Sequence, residues 1–245
     1  MESKDSFAAA RRMVPGWCRA ALSLLLLAAS AAAWAQARSL APGFTALPKD
    51  AKVLIAPLDV ELYSVSAGGV LEPKADWTEA ATGFMKQALV EKKNRIGLNA
   101  VEIDERSADE MAELLTLHAA VARAISIHHA RGGPLALPTK EGKLDWSFGD
   151  ALRPLKERSG ARYGLFTWVR DSYASAERVA TMAVMALLGV GLAGGAQVGY
   201  ASLVDLETGQ VLWFNQLVRA SGDLREAAKA AETVDALLQG FPAAQ

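Results

Sequence analysis

The chain has 245 residues, of which 51% are hydrophobic and 22% charged, with 26 Lys or Arg against 27 Asp or Glu and a single cysteine. Beyond residue 35 the balance is 22 basic to 25 acidic residues, a mixed and nearly neutral surface that excludes nucleic acid as a partner. The one cysteine is Cys18, so the later chain has no disulfide, cysteine nucleophile or thiolate metal site.

The first 35 residues read as a secretory signal peptide. Arg11 and Arg12 supply a cationic region, Ala20 to Ala33 an apolar run, and Ala33-Trp34-Ala35 or Ala35-Gln36-Ala37 a small-x-small cleavage site. The expected address is the periplasm or the exterior, with cleavage near Ala35 or Ala37. Cys18 precedes the apolar run, so it is not placed for lipidation. The Arg11-Arg12 pair suggests twin-arginine export, although Met13-Val14-Pro15 follows it poorly. Met13 is an alternative start that leaves Arg19 as the leader's cation.

Residues 36–50 form an expected extended tether, with Pro42 and Pro48 opposing helix. A single α/β domain is expected over 51–245. Its opening run, Lys52 to Val60, is apolar almost throughout, as in a strand covered on both faces, with a bulge or an edge position at Pro57. Ser64 to Pro73 is rich in turn residues. Asp76 then caps a helix to about Asn94, burying Ala80, Phe84, Ala88 and Leu89. Asn99 to Asp104 alternates like a strand. Ser107 caps a long helix to about Ala130 with Met111, Leu114, Leu115, Val121 and Ile125 on its inner face, stopped by Gly132-Gly133-Pro134.

After a loop over 131–145, Phe148 to Ser159 reads as a short helix ended by Gly160. Ala161 to Tyr173 is a strand with Tyr163, Leu165, Thr167 and Val169 on one face and Phe166 and Trp168 on the other. Ala196 to Leu206 and Gln210 to Arg219 form a hairpin whose turn needs the left-handed conformation at Gly209. Asp223 and Glu226 fit a capping box for a last helix through Ala227, Ala231, Val234 and Leu238, ending at Gly240. Alternating helices and strands with a closing hairpin predict an α/β fold: a mixed sheet flanked by helices on both faces, a three-layer sandwich with a C-terminal hairpin and helix.

The opening strand VLIAPLDV (Val53 to Val60), the strand YGLFTWVRDSY (Tyr163 to Tyr173) and the hairpin ASLVDLETGQVLWF (Ala201 to Phe214) with its following helix resemble a group of envelope proteins. That group contains the curli secretion channel lipoprotein, the penicillin-binding-protein activator lipoprotein and the TolB amino-terminal domain. The resemblance implies binding of other proteins, or assembly, at the cell envelope. It carries over no catalytic residue, and this chain departs from the lipoprotein members by lacking the lipidated cysteine.

Val179 to Ala196 is eighteen residues without a charge. The favoured reading is a buried helix from Glu177 to Leu188 followed by a glycine loop, because helices apolar on all sides are usually core. The competing reading is an exposed element that docks a partner or a bilayer surface, with Met182, Met185, Leu187, Leu188, Gly189 and Gly191 as its working residues. A membrane span would strand the hairpin across the bilayer from its own sheet. Gly189-x-Gly191-x-x-Gly194 mimics a dinucleotide fingerprint, but a helix precedes it and a strand follows, the reverse of what phosphate binding needs.

His118 and His129 are about 16 Å apart along a helix, too far to share a metal. Asp59, Arg170, Asp171 and Tyr173 are polar strand-end positions, and Asp59 and Asp171 can meet if their strands are adjacent and parallel. Asp205 is read as a turn residue. No cofactor or metal site is expected. Taken together these features point to an exported, non-enzymatic envelope protein that binds a protein partner or self-associates through the apolar segment. The alternative is a periplasmic small-ligand binder or hydrolase using strand-end carboxylates.

Overall fold

The fold is taken from a computed structural model, which describes residues 39–102, 111–220 and 222–244. The leader, its cleavage positions, Asp104 and the Ser107 cap lie outside the described residues. Seven strands form one mixed sheet: β1 (Val53–Ile55), β2 (Asp59–Val65), β3 (Leu71–Pro73), β4 (Ala100–Glu102), β5 (Tyr163–Ala174), β6 (Gln197–Asp205) and β7 (Val211–Arg219). The α-helices are α1 (Ala75–Arg95), α2 (Ala112–Ile125), α3 (Arg153–Ser159), α4 (Ala176–Leu187) and α5 (Ala227–Leu237).

The long strand β5 organises the sheet. Its first residues pair in parallel with β1 and its later ones in parallel with β2, both on the same side. The predicted first strand is therefore one line of chain broken in the middle, because Pro57 has no N–H for the ladder. Neither half is an edge: β4 lies beyond β1, and β3 lies beyond β2. The turn after β2 is tighter than its composition suggested, spanning Ser66 to Val70 with Gly69 at φ +86°. On the other side of β5 the antiparallel β6 and β7 complete the sheet.

Strand alternation divides the core into two layers. Val53, Leu165, Val169, Ala201 and Leu203 face α1 and α5, while Leu54, Phe166, Tyr200, Val204 and Phe214 face α2 and the segment around Phe148, Leu152 and Leu155. This explains the nearly continuous apolar strands: each side of the sheet has its own helical cover. Tyr163, Leu165 and Val169 lie on one face and Phe166 and Trp168 on the other, as expected.

Helix boundaries differ from expectation where side-chain caps were invoked. α1 starts two residues before a helix capped by Asp76 would, with no side-chain cap, and buries Ala81, Met85, Ala88 and Leu89. Ala80 is exposed and Phe84 half-buried. Likewise Asp223 forms no capping box. It accepts hydrogen bonds from the Arg225 backbone N at 3.0 Å and from its guanidinium at 2.8 Å, and α5 turns Ala230, Thr233, Val234 and Leu237 inward. Arginine competes for the acceptor that the box needs.

The hairpin forms as expected, with Gly209 at φ +70°. A side chain there would also strike the carbonyl of Gly149 at 2.0 Å, so glycine is required twice over. Asp205 accepts from the Glu207 and Thr208 backbone N–H groups at 2.9 and 3.2 Å, the expected turn role. The stretch read as a tether turns at Pro42-Gly43 and at Lys49-Asp50 and is not free. Ala41 donates to the Leu212 carbonyl at 2.8 Å, and Ala41 and Leu47 are buried against the domain.

Candidate functional site

Between β5 and β6 the chain leaves the sheet and returns, forming an arm of α4 and a glycine-rich strand of loop. The start is capped: the Ser175 side chain accepts from the Arg178 backbone N at 3.1 Å. The end is a Schellman motif. Gly189 at φ +77° donates to the Ala186 carbonyl at 3.0 Å, and Val190 to that of Met185 at 2.9 Å. Gly189 is therefore a helix terminator, which accounts for the first glycine of the false fingerprint.

The return leg is held closely at its base. Ser172 and Ala196 exchange backbone and side-chain hydrogen bonds of 2.9 to 3.1 Å. A side chain on Gly195 would meet the Ser172 carbonyl at 1.9 Å, and one on Gly194 would lie 3.3 Å from the Met182 methyl. Arg178 ties the arm laterally, donating to the carbonyls of Ala67 and Ala193 at 3.2 and 3.1 Å. Thus the glycines permit backbone to lie on backbone, and Met182 packs over them.

Above this base the arm is open. No residue of α4 is buried, which corrects the favoured reading of a core helix. Leu187 is 87% exposed and Leu188 71%, with Val179, Val184 and Val190 also exposed. Of the expected interaction residues, Leu187, Leu188, Gly189 and Gly191 are exposed, while Met182 and Met185 are half-buried. The reason lies in the layering: α1 and α5 already cover one face of the sheet and α2 the other. A helix leaving the end of β5 has no vacant face to cover. No helix among the described residues is long and apolar enough to cross a membrane.

The polar strand-end residues do not converge. β2 and β5 are adjacent and parallel, as the meeting of Asp59 and Asp171 required, but Asp59 is opposite Trp168 and Asp171 opposite Leu62. Consecutive residues of β5 point to opposite faces. Arg170 therefore takes Asp59 at 2.6 Å and Glu61 at 3.2 Å on one side. Asp171 enters a buried network on the other. It accepts from the Tyr173 hydroxyl and from Gln197 Nε2 at 2.7 Å. Gln197 Oε1 in turn accepts from Arg219 Nε at 2.8 Å and Thr233 Oγ1 at 3.1 Å.

Burial pushes the Asp171 carboxyl above its ordinary range, partly offset by these donors, and burial also raises the Tyr173 phenol. The network joins β5, β6, β7, α5 and the Leu224 backbone, whose N–H donates to Tyr173 Oη at 2.8 Å. Arg225 stacks over Tyr173 at 4.0 Å. This is the wiring of an anchor, and it sits directly beneath the arm.

The histidines are likewise dispersed. His118 is buried between Phe166 and Phe148 with its Nε2 3.0 Å from Ser202 Oγ, and burial lowers its pKa to about 4. His128 Nδ1 is 2.8 Å from the Leu135 carbonyl. Among the described residues no group of three or more His, Cys, Asp or Glu is arranged to hold a metal ion. The π-helical turn from Ser126 to Arg131 extends α2, and no residue pattern in the sequence announces it.

No protein-family model matches the chain, and no curated protein matches it. Solved structures similar to it include the PelC dodecamer from Paraburkholderia phytofirmans, at 13% identity and a TM-score of 0.40, covering 82% of this chain and 94% of that one. Lipoprotein GNA1162 from Neisseria meningitidis is similar at 12% identity and a TM-score of 0.29, covering 70% and 81%. The LpoB C-terminal domain from Salmonella enterica is similar at 14% identity and a TM-score of 0.27, covering 73% and 87%. The penicillin-binding-protein activator of the group read from the strands and hairpin thus stands among the solved structures this chain is similar to.

Proposed function

We propose that this chain is an exported, non-enzymatic envelope protein that associates with protein through the α4 arm, in the first place with a second copy of itself. The observation that carries the reading is the exposure of Val179, Val184, Leu187 and Leu188 along a helix with no buried residue, on a hydrogen-bonded base. A soluble surface holds such a patch only against a standing unfavourable hydration term, and contiguous patches of this kind mark interaction sites. Self-association fits the charge pattern. From Val179 to Ala196 no residue is charged, so two identical arms meet without like-charge repulsion or desolvated ions.

The scattering of the strand-end residues supports the non-enzymatic half of the reading, since Asp59 and Asp171 face apart and share no site for acid–base work. The leader supports export.

The test is the solution mass of the chain from residue 36, measured by light scattering without detergent. The expected result is a discrete oligomer, with Leu188→Asp reduced to a monomer whose melting temperature stays within about 2 °C of wild type, because an exposed side chain contributes little to folding. A wild-type monomer at high concentration would sink the reading. Ill-defined aggregates that mild detergent disperses would assign the arm to a bilayer surface instead. Unfolding by Leu188→Asp would return the segment to the core.

A further inference from the structure

A cleft of about 460 Å³ opens between α2, its π-helical extension and the sheet. Its shape follows from residue size. The helix wall presents Ala119 and Ala120 to it, side chains too short to reach the strands, so the floor of Trp168, Val198 and Tyr200 is only partly covered. Trp168 and Tyr200 stack with centroids 5.1 Å apart and planes at 16°, which makes a flat apolar platform. The π-helical turn is pinned to β7 by a 2.8 Å hydrogen bond from Ser126 to Gln216 Oε1. Arg123, Ile127 and Arg131 then recur every four residues along the same wall.

The charges around this cleft are unequal in kind. Arg170 is already satisfied: its guanidinium lies 4.6 Å over the Trp168 ring and pairs with Asp59 and Glu61. Arg123 and Arg131 are exposed and have no acceptor among the described residues. No acidic residue is among the described residues that line the cleft. Two guanidinium groups without an acceptor among the described residues therefore line the same cleft as an aromatic floor, in a cleft of the size that takes small molecules and with the usual mixture of apolar lining and few polar groups. Guanidinium forks match carboxylate, phosphate and sulfonate oxygens in geometry and charge.

We propose that this cleft binds a small organic anion with a flat apolar body, its acidic group held by Arg123 and Arg131 and its body resting on Trp168 and Tyr200. The site is distinct from the α4 arm and stands or falls independently of it.

The experiment titrates the purified protein with two fluorescent probes, anilinonaphthalene sulfonate and the uncharged phenylnaphthylamine. They share their rings and differ in the anion, so the exposed α4 surface contributes to both and cancels in the comparison. The expected result is tighter binding of the sulfonate, weakened about tenfold in the Arg123→Gln, Arg131→Gln double variant, with the neutral probe unchanged. Both arginines are exposed, so the variant is expected to keep the wild-type unfolding midpoint, which is checked alongside. Equal affinity of the two probes for wild type, or a sulfonate affinity that the double variant leaves intact, would overturn the proposal.

Discussion

Asp171→Ala is expected to destabilise the domain by about 4 kcal/mol, because it leaves buried donors without an acceptor. Asp171 is 2% exposed and takes the Tyr173 hydroxyl and Gln197 Nε2 as donors. Gln197 is itself 1% exposed, so its released amide has no water to turn to. The loss spreads through Gln197 to Arg219 and Thr233, and through Tyr173 to the Leu224 backbone. Asp171→Asn keeps one acceptor oxygen and is expected to lose about half as much. Asp59→Ala is expected to cost about 1 kcal/mol or less, since its side chain is 20% exposed and Arg170 keeps Glu61 as a partner.

Urea unfolding of the three variants decides the matter. The ordering Asp171→Ala, Asp171→Asn, Asp59→Ala identifies the strand-end carboxylate as an anchor beneath the arm. A carboxylate retained for chemistry at a site tends instead to be dispensable for folding, and its removal can raise stability. An Asp171→Ala variant as stable as wild type would support the ligand-binding or hydrolytic alternative.

The second large effect concerns pH. Acidification from pH 6.5 to 4 is expected to remove about 3 kcal/mol of stability through His118 alone. Burial lowers its folded pKa from 6.5 to about 4, so the unfolded chain takes up a proton that the folded one refuses. Its contribution is thus fully present above the unfolded pKa and is lost as pH falls, at a limiting slope of about 1.4 kcal/mol per pH unit. Asp171 works in the opposite sense: its raised pKa lets the folded state hold a proton more readily, favouring the fold as pH falls. The discriminating measurement is therefore the difference between wild type and His118→Gln, compared at pH 7, 5.5 and 4.5 by urea unfolding. The variant is expected to show a flatter profile over this window whatever its absolute stability. Parallel profiles would mean that His118 is protonated within its aromatic cage.

Much of the fold was legible in the residues because local signals and tertiary structure agreed. β5 has the alternation, the length and the aromatic side chains of a central strand, and the sheet is built around it. Asp205 and Gly209 sit where a hairpin turn needs an acceptor and a left-handed glycine. Where competing partners lay far away in sequence, local rules misplaced the detail. Asp223 resembles half of a capping box until Arg225 folds onto it. Asp76 resembles a cap, yet the strand before it delivers the chain to Lys74 and the helix begins there.

The arm shows the same division most clearly. Eighteen uncharged residues announce an apolar element, and Gly189 announces its end, but composition is identical for a helix in a core and a helix on a surface. That choice depended on whether a face of the sheet remained to be covered. α1, α5 and α2 had taken both faces, so α4 stayed outside. Parity along β5 likewise sent Arg170 and Asp171 to opposite sides, yet only the register of β2 against β5 showed that Asp59 meets one and not the other. The sequence by itself determined most of the strands, helices and turns, β3 and the π-helical turn excepted, because those follow from period and local backbone preference. Which of the apolar and charged side chains are left facing solvent was decided by the tertiary structure alone, because burial is a property of the layers that pack over a residue and not of the residue.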